Sequence, residues 1–235
     1  MTTTRLVYSR KTVNSFGIMG VGEHPVVRTS GSERPWGLPP TLARTVQRYF
    51  RYRVAIETGT YKGTSTRILR ELVGRVYTIE ADFALYEDAR RTLGNDPDIH
   101  VCLGSSPAVL PSILNSLDSC ALFWLDAHWF PEVPSVADSQ CPLLEELSIL
   151  ARWPFIGESC VLIDDARMFS GPLEECYRAG DWPTLHDVIA AARFTPSTVS
   201  AIIDDVIVVG PGTLTLAFGD YPERTGAQSP AWKKT

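Results

Sequence analysis

Val54-Ala-Ile-Glu57-Thr-Gly59-Thr60-Tyr61-Lys-Gly63-Thr64-Ser65 is the stretch on which the reading of this chain turns. Its first three residues form a short apolar strand, its glycines mark a tight turn, and Thr64 to Leu72 follow at helical spacing. A strand, a glycine loop and a helix in that order bring the backbone close to a ligand at the helix's positive end. The missing glycines narrow what binds there. A dinucleotide loop needs G-x-G-x-x-G, its middle glycine admitting a pyrophosphate, and here Tyr61 holds that position. A P-loop needs Lys after its last glycine, and Lys62 comes before Gly63.

Outward from this loop the chain alternates. A helix from Thr41 precedes the strand Val54–Ile56. Strands then follow at Val76–Ile79, Ile99–Leu103, Ala121–Leu125 and Cys160–Ile163, with helices at Thr64–Leu72, Phe83–Leu93, Ala108–Leu114 and Leu143–Ala151 between them. Alternating strands and helices imply a parallel sheet with helices on both faces, and continuous apolar strands fit burial on both sides. Trp182–Phe194 reads as one more helix. Val199–Ile203 and Val206–Val209 are parted only by Asp204-Asp205, too close for a crossover, so they form an antiparallel hairpin whose turn is the Asp pair. Thr213–Phe218 reads as a further strand. The expected organisation is an irregular arm over 1–40, one α/β domain over 41–220, and a loose tail over 221–235.

Two acids flank the loop: Glu57 at the end of the first strand and Glu80 at the end of the second, where a carboxylate can accept both hydroxyls of a ribose. Glu57-x-Gly59-x-x-x-Gly63 followed by Glu80 resembles the first two motifs of class I methyltransferases. That resemblance implies a Rossmann-like doubly wound sheet with a C-terminal antiparallel hairpin, and S-adenosylmethionine as cofactor. It implies donor contacts from Glu57, Gly59, Thr60, Tyr61, Gly63, Thr64, Ser65 and Glu80. The loop after strand three, with Gly104 and Ser105, then lies beside the adenine.

Strand four ends in Asp126-Ala-His128-Trp129 and strand five in Asp164-Asp165. The carboxyl ends of parallel strands form the ligand crevice, so the three acids should converge there. Converging carboxylates repel one another unless a cation or a proton intervenes, and an all-oxygen set suits Mg²⁺ or Mn²⁺. The arrangement resembles the metal-dependent O-methyltransferases of the macrocin type and their cephalosporin-hydroxylase-like relatives, which implies Asp126, Asp164 and Asp165 as metal ligands. Capping of the following helices is the plainer reading of the same acids. His128, at i+2 from Asp126, is a candidate general base, its ordinary pKa of about 6.5 suiting the removal of a hydroxyl proton. A fourth metal ligand and a merely hydrogen-bonded ring are the other readings. Asp126 is the second candidate catalytic residue. The aperiodic segment Pro131–Cys141 could cover an acceptor, with Trp129, Phe130, Phe169 and Trp182 lining the walls or filling the core.

A net charge of −5 with no basic run argues against a nucleic-acid partner, and no Asn/Asp-Pro-Pro-Tyr motif follows strand four. The five cysteines are widely spaced and odd in number, which fits free thiols in a reducing compartment rather than a disulfide framework. No apolar run approaches the ~20 residues of a membrane span. The expectation is a cytoplasmic O-methyltransferase acting on a small hydroxylated molecule, such as a sugar or glycosylated natural product. Its arm would serve as a lid or as a contact in a homo-oligomer. A metal-dependent hydrolase on the same sheet and a non-catalytic nucleotide-binding module are the rival readings.

Overall fold

The computed structural model describes residues 37–131 and 139–219, together with the backbone of Val26–Val27 and Lys233–Lys234. Most of the expected arm and tail, and most of the Pro131–Cys141 segment, lie outside the described residues.

Seven strands build the sheet: β1 Val54–Thr58, β2 Arg75–Glu80, β3 Ile99–Leu103, β4 Leu122–Leu125, β5 Cys160–Ile163, β6 Val199–Ile203 and β7 Val206–Gly210. Their order across the sheet is β6-β7-β5-β4-β1-β2-β3, and the two-residue segments Val26–Val27 and Lys233–Lys234 add to β6 at the edge. The pairs β1·β2, β1·β4, β2·β3 and β4·β5 are parallel. Only β7 runs against its neighbours β5 and β6. Asp204 and Asp205, with φ of 51° and 67°, make the left-handed two-residue turn of the β6–β7 hairpin.

The helices are α1 Pro40–Phe50, α2 Thr64–Leu72, α3 Phe83–Leu93, α4 Ser106–Asn115, α5 Leu143–Leu150, α6 Leu185–Ala191 and the single turn α7 Leu214–Ala217. Proline at the first turn starts α1. The Asp82 carboxylate caps α3 by accepting from Leu85 N at 2.9 Å. A reciprocal Thr184/Asp187 capping box opens α6 three residues after Trp182, which is why that helix is shorter than its apolar pattern suggests. The expected strand at Thr213–Phe218 is a correction. There Leu214, Ala217 and Phe218 are buried while Leu216 is 64% exposed. Burial at i, i+3 and i+4 is helical spacing, and the α7 turn follows.

Alternate residues of the strands feed two cores. Leu122, Trp124 and Leu162 pack with α1, α2 and Phe218 on one face. Phe123, Leu125 and Val161 pack with α4, α5 and Trp153 on the other. Strands β1 to β6 run the same way and end on one rim, where the sequence motifs that follow β1, β2, β4 and β5 come together.

Candidate active site

The loop after β1 is held from both sides by acids. Tyr61, with φ of 46°, has a left-handed backbone that a bulky side chain seldom adopts. The Glu80 carboxylate holds it there: one oxygen accepts from Tyr61 N and the other from Asp82 N, each at 2.9 Å. Glu57 is fully buried beneath the loop and accepts from Thr66 Oγ1 at 2.5 Å and Thr78 Oγ1 at 2.7 Å. Both bonds go to one oxygen, and Oε1 has no partner among the described residues. Burial pushes this carboxyl up to about 7, against the pull of the two threonine hydroxyls. Thr60 lies against Thr78, their hydroxyls 2.6 Å apart.

The glycines answer first to the protein itself. A Cβ on Gly59 (φ +84°) would sit 2.2 Å from the Asp126 carbonyl oxygen, and one on Gly63 (φ +71°) 2.8 Å from Leu93. Gly59 therefore lets the glycine loop lie directly on the exit of β4, bringing the ends of β1 and β4 into contact. Ser65 faces away from the loop, accepting from Leu38 N at 3.0 Å under the start of α1. Thr64 is exposed at the start of α2, whose N-terminus has no side-chain cap. Gly104 (φ +141°) and Ser105 lead into α4, and Gly104 N donates to Glu80 O at 2.9 Å. Glu57, Gly59, Thr60, Tyr61, Gly63, Glu80, Gly104 and Ser105 thus gather at the ends of β1 to β3, while Ser65 belongs to the packing behind them.

At the ends of β4 and β5 the expected acids do converge, together with a histidine. His128 Nε2 lies 2.7 Å from Asp165 Oδ2 and 3.7 Å from Asp126 Oδ1. Asp164 is buried and its Oδ1 accepts from Asp165 N at 2.7 Å. Asp165, at φ 55°, sits in the left-handed region that aspartate tolerates. It also meets Arg167 at 2.5 Å, and Arg167 in turn pairs with Asp205 of the hairpin turn. Burial works against a charge on His128, yet the Asp165 hydrogen bond and the Asp126, Asp165 and Asp164 charges outweigh it and push the imidazole up to about 9. Asp126 is held well above the usual carboxylate range by burial and by Asp164, with His128 pulling the other way.

Strand order, hairpin and loop now match a known architecture. The O-methyltransferase of Bacillus cereus in complex with SAH superposes with a TM-score of 0.50 at 15% identity, over 72% of this chain and 78% of that one. The O-methyltransferase TomG of Streptomyces achromogenes, solved with SAM, gives 0.51 at 16% identity, over 72% and 77%. SAH-bound PaMTH1 of Podospora anserina gives 0.50 at 13% identity, over 73% and 77%. The fold is that of the class I methyltransferases. No protein-family model and no curated protein sequence matches the chain.

Within this class I sheet the cation partners of the acids differ from the expected ones. Among the described residues no three His, Cys, Asp or Glu side chains are arranged to hold a metal ion. Asp126, Asp164 and Asp165 share a rim, but Asp165 is turned to His128 and Arg167. Three further groups shape the site and carried no signal in the sequence. Arg167 and Asp205 fasten the β6–β7 turn to Asp165, because Ala166 N also donates to Asp205 O at 2.8 Å and Arg167 N to Asp205 Oδ1 at 2.8 Å. Buried Gln140 accepts through Oε1 from Arg178 N at 2.6 Å and Trp182 Nε1 at 3.3 Å. Its own backbone accepts from Trp129 N at 2.7 Å. Trp182 then meets His128 edge to face, ring centroids 5.5 Å apart. His100 is exposed and stacks on Tyr77, and His186 is exposed, so neither joins the site. All five cysteines are free, and no described helix is long and apolar enough to cross a membrane.

Proposed function

We propose that this protein is an S-adenosylmethionine-dependent O-methyltransferase that acts on a small hydroxylated acceptor, such as a sugar or a glycosylated natural product. One observation carries the reading. The His128–Asp165 pair, 2.7 Å apart, stands at the ends of β4 and β5. Its neighbour Asp126 is in backbone contact distance of Gly59 in the donor loop. A proton acceptor and a donor site are thereby built against each other. The solved neighbours that hold SAM or SAH in the same fold support S-adenosylmethionine as the donor. The buried Glu57 oxygen, without a partner among the described residues, supports a cationic ligand above it.

In the reaction the acceptor oxygen attacks the sulfonium methyl group. The carbon–sulfur bond breaks as the carbon–oxygen bond forms, the hydroxyl proton passes to a base, and the products are the methyl ether and S-adenosylhomocysteine. Holding oxygen, methyl and sulfur in line supplies much of the acceleration. Neutral His128, its Nε2 oriented by Asp165, is the base, and Asp126 and Asp165 stabilise the imidazolium that forms. In the resting protein at neutral pH the ring is already protonated, since its pKa is pushed up to about 9. Turnover limited by this step therefore rises with pH up to about 9.

A divalent ion does not fit the donor set as arranged, because no three described His, Cys, Asp or Glu side chains are placed to hold one and Asp165 already faces His128 and Arg167. No step is assigned to a metal, and treatment with EDTA is expected to leave turnover unchanged. A hydrolase reading, which relies on that ion, loses its support for the same reason.

The test pairs calorimetry with methyl transfer. S-adenosylhomocysteine should bind the wild-type protein and the Asp126→Ala variant with affinities within about threefold. Transfer of labelled methyl to hydroxylated acceptors should be lost in the variant by about 10²-fold or more. No binding of S-adenosylhomocysteine at high micromolar concentration sinks the proposal. Intact binding without turnover on any hydroxylated acceptor points to a non-catalytic nucleotide-binding module.

A further inference from the structure

Against Trp182, whose ring meets His128, lies a cavity of about 380 Å³ built by the segment that follows β5. Small-molecule sites are concave, mostly apolar and about 300–1,000 Å³, so its size and walls suit a ligand. Phe169, Leu173, Tyr177, Trp182 and Pro183 line it. Trp182 is the shared wall: it touches His128 at 5.5 Å between ring centroids, Tyr177 at 5.4 Å and Phe169 at 6.0 Å. The aromatic wall is fixed in place. The indole N–H donates to Gln140 Oε1 at 3.3 Å, and Gln140 is only 5% exposed. The same Gln140 oxygen accepts from Arg178 N at 2.6 Å, so one buried amide ties the backbone at Arg178 to the tryptophan wall.

We propose that this cavity is the subsite for an apolar, planar ring of the methyl acceptor, holding it one aromatic side chain away from His128. The inference rests on the methyltransferase reading of the adjoining site and names the part of the acceptor that reading leaves open. Flat aromatic walls reward ring-on-ring contact, whereas the hydroxyls of a bare sugar would lose their water against Phe169, Leu173 and Pro183. The charged residues lining the cavity among the described ones are Glu174 and Glu175, with no Lys or Arg, so a carboxylate or phosphate on the ring is disfavoured. A neutral aryl glycoside combines such a ring with the hydroxyls to be methylated.

The test compares 2-naphthyl β-D-glucoside with methyl β-D-glucoside, which differ only in the aglycone, by calorimetry on the full chain. The wild-type protein should bind the naphthyl compound about tenfold or more tightly. Leu173→Asp, which places a charge in the cavity, and Leu173→Trp, which fills it, should each reduce that preference to about twofold. Both variants should keep the circular dichroism spectrum and the S-adenosylhomocysteine affinity of the wild type. Equal affinities for the two glucosides, or a preference that survives in both folded variants, overturn the subsite. A wild-type protein that binds no S-adenosylhomocysteine overturns the methyltransferase reading instead, and a naphthyl preference erased by the Leu173 variants would still locate an aryl site in the cavity.

Discussion

The two halves of the rim handle their carboxylates in opposite ways. At the ends of β1 and β2, Glu57 and Glu80 are answered by neutral donors: two threonine hydroxyls and two backbone N–H groups. At the ends of β4 and β5, Asp126 and Asp165 face His128, and Asp165 also faces Arg167. Neutral donors orient a carboxylate but leave its charge largely uncompensated, so the donor half keeps a deficit that a cationic ligand can fill. At the ends of β4 and β5 the His128 and Arg167 cations answer Asp165 directly, while burial and Asp164 still hold Asp126 well above the usual carboxylate range. Gly59 joins the two, since its missing Cβ is what allows the donor loop to lie on the Asp126 backbone.

The sharpest way to break this comparison is to separate the halves. Gly59→Ala places a Cβ into the Asp126 carbonyl at a left-handed φ, and a loss of about 3 kcal/mol or more is expected from the backbone strain and overlap. Urea denaturation measures it, and a loss under 1 kcal/mol would mean that the two loops are independent. Next in size is the donor half alone. Glu80→Ala frees Tyr61 N and Asp82 N, and S-adenosylhomocysteine binding should weaken by about tenfold while the midpoint of unfolding changes less than in Gly59→Ala. An unchanged affinity would show that Glu80 serves the loop's backbone and nothing else.

The acceptor half is probed by Asp165→Asn. The Asp165 carboxylate favours the imidazolium, so its removal lowers the pKa of His128 from about 9, and the rising limb of the pH–rate profile should move to lower pH by on the order of one unit. The same shift bears on stability. A histidine whose folded pKa lies above its unfolded value of about 6.5 contributes stability that is full below pH 6.5 and is lost as pH rises toward 9. The wild type should therefore lose more stability across pH 6.5 to 9 than Asp165→Asn. A profile and a stability curve that do not move would remove Asp165 from the dyad. The smallest effect concerns the uncompensated charge of Glu57, whose carboxyl is pushed up to about 7. Binding of a cationic donor lowers that pKa, so a fraction of a proton should leave the protein at pH 7. Calorimetry in buffers of different ionisation enthalpy measures the release, and proton uptake in its place would place the donor's charge elsewhere.

The order of strands and helices was legible because each element carries its own local pattern. Apolar runs, helical spacing and turn residues separate β1 to β7, and the Asp204-Asp205 turn announced the hairpin. Thr213–Phe218 misled because six residues of mixed polarity fit either period, and only contact with the core selects one. The conformation of the glycine loop was legible too, since β1, the turn glycines Gly59 and Gly63 and the start of α2 lie close together in sequence. The partner of Ser65 was not legible, because Leu38, whose N–H its hydroxyl oxygen accepts, lies 27 residues earlier, ahead of α1.

The partners of the acceptor-side acids belong to the tertiary structure. Asp126, Asp164, Asp165 and His128 could be named from the chain, but whether a metal, a proton or a side-chain cation would balance them depended on what the fold brings within 4 Å. Arg167 is shared between Asp165 and Asp205, which the hairpin brings from 38 residues away, and Trp182 meets both His128 and Gln140, which lie far from it in sequence. Local spacing fixes the period of an element and the residues of a loop. Electrostatic balance is a sum over neighbours from every element, and no stretch of sequence contains that sum.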